Sequence, residues 1–382
     1  MLGINSNINS LVAQQNLNGS QSALSQAITR LSSGKRINSA ADDAAGLAIS
    51  TRMQTQINGL NQGVSNANDG VSMIQTASSA LSSLTSSLQR IRQLAVQAST
   101  GTLSASDQAA LQQEVSAQIS EVNRIASQTT YNGTNILDGS AGSVTFQVGA
   151  NVGQTISLDL SQSMSAAKIG GGLVQTGQTV GTVTVSTNAA GTYTSTGATI
   201  TSVNVLSDGK GGYTFTDQNN QAISSGAVAN IFSAGTAAGS GTAITNLTLN
   251  ATLATAMGAT ASGVATASIN QINAINNPPN VSNLNISTVT GANEAMVSID
   301  NALQTVNNLQ AALGAAQNRF TAISTSQQAE STDLSSAQSQ ITDANFAQET
   351  ANLSKAQVLQ QAGISVLAQA NSNPQQVLKL LQ

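Results

Sequence analysis

Residues 299–344 read IDNALQTVNNLQAALGAAQNRFTAISTSQQAESTDLSSAQSQITDA. Every seventh residue from Ile299 gives Ile299, Val306, Leu313, Phe320, Gln327, Leu334 and Ile341. The row from Ala302 gives Ala302, Leu309, Ala316, Ile323, Glu330, Ala337 and Ala344. These are the a and d positions of a heptad repeat, broken only at Gln327 and Glu330. A 3.5-residue period held this long asks for a partner helix, because a lone helix cannot bury the stripe. At about 1.5 Å per residue the helix would be roughly 65–70 Å long. The partner is legible near the other end of the chain, over residues 47–99. One row there is Ile57, Val64, Val71; the next is Leu60, Ala67, Ile74, Leu81, Leu88, Ala95. A third row, Leu84, Ile91, Ala98, takes over as the first fades, which is the drift of a 3.6-residue helix against a 3.5-residue seam.

Outward from this pair, residues 1–33 predict an amphipathic helix with Leu17, Leu24 and Leu31 at sevens and Ile28 between. Ile4, Ile8 and Leu11 extend its stripe. Residues 34–46, with Gly34, Lys35, Arg36 and Gly46, mark a joint. Asp42 and Asp43 there are expected to serve a helix start, where the dipole favours negative charge; neighbours about 100° apart on a helix converge poorly on a metal. Ser104 with Asp107 predicts a capping box for a third helix. That helix carries Leu111, Val115, Ile119, Val122 and Ile125 on one face, and Glu114, Glu121 and Arg124 off it. Beyond Ala344 the period continues through Leu353, Ala356, Gly363, Leu367 and Ala370, beside Leu359 and Val366. Pro374 is expected to interrupt it. Val377, Leu378, Leu380 and Leu381 form an apolar tail suited to burial in a larger assembly.

After the turn Tyr131-Asn132-Gly133 the period changes to two. Val144, Phe146, Val148 and then Ile156, Leu158, Leu160 predict a β-hairpin packed on the helices. Residues 171–284 shift to Gly, Thr, Ser and Ala, with short alternating runs at Val180–Val185, Thr199–Val205 and Tyr213–Phe215. Residues 243–275 are expected to add a short helix and more strands. The fold class is therefore mainly α. A long antiparallel coiled-coil or helical-bundle rod is built from both chain ends, with a β-hairpin and an inserted small β-rich domain. The expected rod core includes Leu60, Ile74, Leu81, Leu88, Val306, Leu313, Phe320 and Ile323. The terminal stripes, Leu17, Leu24, Ile28, Leu31, Leu353, Leu367, Leu378 and Leu381, are expected to order and be buried only in a larger assembly.

Composition excludes much else. Charged residues are 7% of the 382, against about a quarter in average proteins, and there is no His, Cys or Trp. Catalysis by histidine or cysteine, and His- or Cys-bound metal, are thus impossible. No phosphate-binding glycine loop opens a helix, and the insert offers only Asp208 and Asp217 as acids. No catalytic residue, cofactor or metal is expected. Arg90 with Arg92 and Lys35 with Arg36 are the only close basic pairs, so nucleic acid is not an expected partner. No run of 18 apolar residues exists to span a membrane. The start, Met-Leu-Gly-Ile-Asn-Ser-Asn-Ile-Asn, lacks the basic and apolar regions of a Sec signal.

Several long motifs then carry a resemblance. They are NINSLVAQQNLN (7–18), ITRLSSGKRINSAADDAAGLAIS (28–50) and NGLNQGVSNANDGVSMIQTA (58–77), with LGAAQNRF (313–320), ITDANFAQETANLSKAQVLQQAGISVLAQAN (341–371) and PQQVLKLLQ (374–382). Over about residues 1–165 and 285–382 the chain strongly resembles bacterial flagellin. The resemblance implies an inner domain of terminal helices (1–43 and 344–382), a helical rod domain with the hairpin (44–170 and 285–343), and an outward-facing variable domain (171–284). It implies self-assembly into an extracellular flagellar filament for motility, and export without a cleaved signal through the flagellar type III apparatus. The implied partners are an export chaperone at the C-terminal helices, filament cap and hook-junction proteins, and other copies of the chain. The motifs QRIRQLAVQ (89–97) and LQQEVS (111–116) resemble a receptor-facing surface, which places Arg90, Leu94 and Glu114 at a host Toll-like receptor contact. Residues 377–381 resemble the segment read by cytosolic inflammasome sensors. Two other possibilities are a hook–filament junction protein, which should lack the close hairpin and receptor motifs, and an adhesin whose insert binds a surface.

Overall fold

The computed structural model describes residues 7–174, 176–234 and 246–380. Eight α-helices are present among them: α1 (Ile8–Ser33), α2 (Ala44–Ala98), α3 (Ala105–Gln128), α4 (Ser225–Ile231), α5 (Ala251–Met257), α6 (Ala259–Ile275), α7 (Val289–Thr342) and α8 (Phe346–Leu380). Short strands lie between α3 and α6. They are β1 (Thr130–Tyr131), β2 (Thr134–Asn135), β3 (Gly142–Gln147), β4 (Thr155–Leu160), β5 (Thr179–Thr187), β6 (Ile200–Ser207), β7 (Tyr213–Asp217), β8 (Phe232–Ala234) and β9 (Leu247–Leu249). The chain is thus mainly helical, with small sheets confined to its middle.

Local chemistry sets the element ends. Gly34 closes α1 in the left-handed region at φ 69°, where a side chain would be strained. Asp43 starts α2, its Oδ1 accepting the Gly46 N–H at 2.9 Å. Asp42 does something else. Its Oδ2 accepts the backbone N–H groups of Asn38 (3.2 Å) and Ser39 (2.9 Å), so it shapes the joint instead of capping the helix. Ser104 and Asp107 form the expected capping box. Asn132 and Gly133 both have positive φ, the two-residue turn that joins β1 to β2. Contrary to expectation, α8 continues through Pro374 to Leu380, although the ring removes one helix hydrogen bond.

The chain packs as two compact units. One comprises residues up to Asn68, residues 147–155 and residues from Thr321 onward; the other comprises 69–146 and 156–320. In the first, α7 runs antiparallel to α2: Gln338 Nε2 donates to Ser50 O at 3.0 Å, and Ser331 Oγ to Asn61 Oδ1 at 3.0 Å. Gln327, the break in the heptad row, is buried beside Gly63.

In the second unit α2 has two neighbours. Arg92 pairs with Asp300 of α7 at 2.6 Å, and Arg90 with Glu114 of α3 at 2.6 Å. Two partners explain why Leu81, Leu88, Ala95 and the supposedly drifting row Leu84, Ile91, Ala98 are all buried. Ile74, Val306, Leu313 and Phe320 are buried in this unit, and Leu60 in the first. Ile323 is only half-buried. It lies in the first unit, whereas α3, which thickens the bundle, lies in the second. β3 pairs with β4, and Phe146 meets the Phe320 ring edge-on at 5.3 Å. Gly70 makes room for that ring, since a Cβ there would stand 2.8 Å from it.

The insert holds an antiparallel sheet in the order β5-β6-β7, with β8 paired to β9. Val183, Val203 and Val205 share its core with Ile269 and Ile272 of α6 and Val297 of α7. Residues 243–275 differ from expectation: one short strand is followed by two helices, α5 and α6. The run SINQINAI is apolar at Ile269, Ile272 and Ile275, a three-residue spacing that suits a helix laid on a sheet.

Candidate assembly surface

The first unit joins the two chain ends. α1 and α8 lie antiparallel: Asn7 Nδ2 donates to Ala370 O at 2.8 Å near one end, and Arg30 Nη1 to Glu349 Oε1 at 3.2 Å near the other. Asn7 also caps α1, its side chain accepting the Ser10 N–H. Asn345 Oδ1 receives Ala347 and Gln348 N–H groups at the start of α8. Between the helices the joint is stitched to the break after α7. Arg36 N–H donates to Thr342 O at 2.6 Å and Ala344 N–H to Gly34 O at 2.9 Å.

The seam of this pair is made of small residues. Ala13 and Ala27 of α1 and Ala356 and Ala370 of α8 are buried. At Gly363 the missing side chain leaves room for Leu17 of α1. Leu17, Leu24, Leu31, Leu353 and Leu367 sit half-buried along its edges. Ile28 is 50% exposed. Leu378 lies within α8, and Leu381 lies outside the described residues. More large apolar side chains point outward: Ile8, Leu11 and Val12 on α1, and Phe346, Val358, Leu359, Ile364 and Val366 on α8. These eight large apolar side chains on two helices are thus left in water, more than isolated surface residues would account for. Sequence periodicity did not single out Val12, Phe346, Val358 or Ile364. The signal for them was the small-residue row itself, Ala356, Gly363 and Ala370 at sevens, which marks the closed side and so turns its flanks outward.

One charged cluster holds the pair to the joint. Arg30 reaches Glu349 and, at 3.9 Å, Asp42. The Glu349 side chain is 8% exposed and accepts a second bond from Asn352 Nδ2 at 2.6 Å. Ser39 and Asn38 N–H groups hold the Asp42 carboxyl below its ordinary value. A groove of about 320 Å³ beside Arg30 is lined by Ala23, Ala27, Lys355 and Leu359.

In the second unit Arg90 Nε and Glu114 Oε1 form a 2.8 Å bond at the surface. Leu94 is 1% exposed. It lies in the helix packing, so it cannot touch a partner directly as the motif suggested. Among the described residues no group of acids, His or Cys could hold a metal, and no helix is long and apolar enough to cross a membrane.

Comparisons with known proteins give the family. Three family models match: Bacterial flagellin N-terminal helical region over residues 4–142, Flagellin, D2 domain over 172–276, and Bacterial flagellin C-terminal helical region over 296–381. Flagellin B of Vibrio cholerae serotype O1 is 36% identical over 392 residues, covering 100% of this chain and 99% of the relative. The B-type flagellin of Pseudomonas aeruginosa is 53% identical over 169 residues, 44% of this chain and 34% of that protein. The solved structure of FliC from Burkholderia pseudomallei is 67% identical, covering 66% of this chain and all of that one, with a TM-score of 0.61. With homology across its full length and unmet apolar faces on its paired ends, the chain belongs to the bacterial flagellin family, structural, non-enzymatic proteins that self-polymerise into the extracellular flagellar filament.

Proposed function

We propose that the paired terminal helices are this chain's polymerisation element. The observation that carries it is the set of large apolar side chains that the α1–α8 pair leaves exposed, Ile8, Leu11 and Val12 on α1 and Phe346, Val358, Leu359, Ile364 and Val366 on α8. Each such side chain fully buried by a neighbouring copy contributes about 1.5–3 kcal/mol. The three-part division into 1–43 with 344–382, 44–170 with 285–343, and 171–284 is part of the same account. The deciding comparison is seeded filament elongation by the wild type and by a chain carrying Val358→Ser, Ile364→Ser and Val366→Ser. The variant should remain folded yet fail to elongate; elongation at the wild-type rate would refute the assignment.

An exposed apolar face must be covered before assembly. Export through the flagellar type III apparatus, with a chaperone on α8 until then, fits that need, and cap and hook-junction proteins would meet the same faces at the filament ends. A peptide of residues 346–380 should compete the full chain off the chaperone; absence of competition contradicts this. The exposed Arg90–Glu114 pair supports a host Toll-like receptor contact, with Leu94 holding α2 from beneath. Arg90→Ala should cut potency in a receptor reporter assay about tenfold, and unchanged potency would remove the pair from the contact. The cytosolic inflammasome sensor remains assigned to residues 377–381.

A further inference from the structure

The turn between β3 and β4 ends in a side chain that the fold leaves wholly in water. Val152 is 104% exposed, against 69% for Phe346, the next most exposed large apolar residue among the described residues. The turn beneath it is rigid. Val148 N–H donates to Gln154 O at 2.9 Å, and Asn151 N–H to Gln154 Oε1 at 3.0 Å. Gln147 Nε2 donates to both Gly149 O (2.8 Å) and Asn151 O (2.7 Å).

The turn is also seated directly on α2. Asn66 Nδ2 donates to Gln147 O at 2.7 Å. A Cβ on Gly63 would meet Val148 O, and one on Gly59 would stand 2.8 Å from the Ala150 Cβ. Two glycines one helical turn apart thus let backbone lie against backbone. The chain orders a nine-residue segment, residues 147–155, and among the described residues none covers the valine at its tip.

We propose that Val152 is an intersubunit anchor, inserted into an apolar site on a second copy of this chain. The inference rests on the chain's polymerising at all. An open helical polymer needs two different patches on each subunit, a donor and an acceptor. The tip has the properties of a donor. Its ordering cost is met within the chain, and valine has little rotamer freedom left to lose. Residues 147–157 carry no charge, so an apolar acceptor meets no buried charge when the tip enters it. The same compact unit carries the outward aliphatics of α1 and α8, so apolar acceptor surface is present on every copy.

The chain has no cysteine, so Val152→Cys introduces a single thiol. A small fraction of this variant is mixed with wild-type chain and elongated onto filament seeds, and maleimide alkylation is timed in monomer and in sedimented filament. The rate should fall at least about tenfold on assembly. Val152→Ser should raise the critical concentration about tenfold, the effect of one lost apolar anchor per added subunit, with unchanged melting of the monomer. Equal alkylation rates in monomer and filament overturn the proposal, as does a critical concentration within about twofold of wild type. Wild-type elongation of the same seeds separates this failure from failure of the filament assignment itself.

Discussion

Gly63 shows how one missing side chain decides a contact. In a helix interior, alanine is favoured over glycine by about 1 kcal/mol. At Gly63 the added Cβ would collide with the backbone oxygen of Val148, so Gly63→Ala should instead destabilise by about 2 kcal/mol. Gly314 is the counterexample. Nothing lies within 4 Å of a Cβ there, and Gly314→Ala should stabilise by about 0.5–1 kcal/mol. Thermal melting of both variants checks the pair. The sequence shows two glycines in helical patterns and cannot distinguish them, because the difference is what approaches from elsewhere in the chain. Asp42 gives the pH-dependent case. Its carboxyl is held below the ordinary 3.8, chiefly by the Ser39 N–H and then that of Asn38. A lowered folded value stabilises above the unfolded value and loses that contribution as pH falls through the folded one. Asp42→Asn should therefore melt below wild type at neutral pH, and the two should converge in acid, once pH has fallen through the lowered folded value. A gap that persists there would contradict the linkage.

At the scale of elements, the heptad rows made the long helices legible from Ile299 and Leu60 outward, because a period held over many turns has few alternatives. What they could not give was the number of partners. The row Leu84, Ile91, Ala98 looked like drift and is a second buried face, since α3 supplies a neighbour that sequence spacing does not announce. In the terminal pair the leucines at sevens on α1 divide their surface: Leu17, Leu24 and Leu31 are half-buried beside the buried Ala13 and Ala27, which leaves part of each leucine for a neighbouring copy. Arg30 is the fixed point of this pair. Removing it leaves Glu349 buried without its cation, so Arg30→Met should cost about 2 kcal/mol, less than the ~3–5 of a fully enclosed pair because Arg30 is partly exposed. Hydrogen exchange should show the loss first in α1 and α8; uniform loosening of the whole chain would contradict a local lock.

For the whole molecule, the motifs that made the family legible lie at the two ends, which also carry the exposed apolar side chains proposed here as the assembly surface. The middle could only be read as short strands. Its valines alternate at Val183 and Val185 in β5 and at Val203 and Val205 in β6, with a register shift beside Val180, but α6 is rich in Ala, Thr and Ser, whose propensities decide little, and its place was set by packing on the sheet. The central claim is that the apolar outer faces of the terminal helices drive polymerisation. Electron microscopy of filament seeds incubated with the full chain, beside a chain lacking residues 1–43 and 344–382, tests it most directly. The account predicts that the full chain elongates the seeds while the truncated one stays monomeric; elongation by both would show that the driving contacts lie elsewhere.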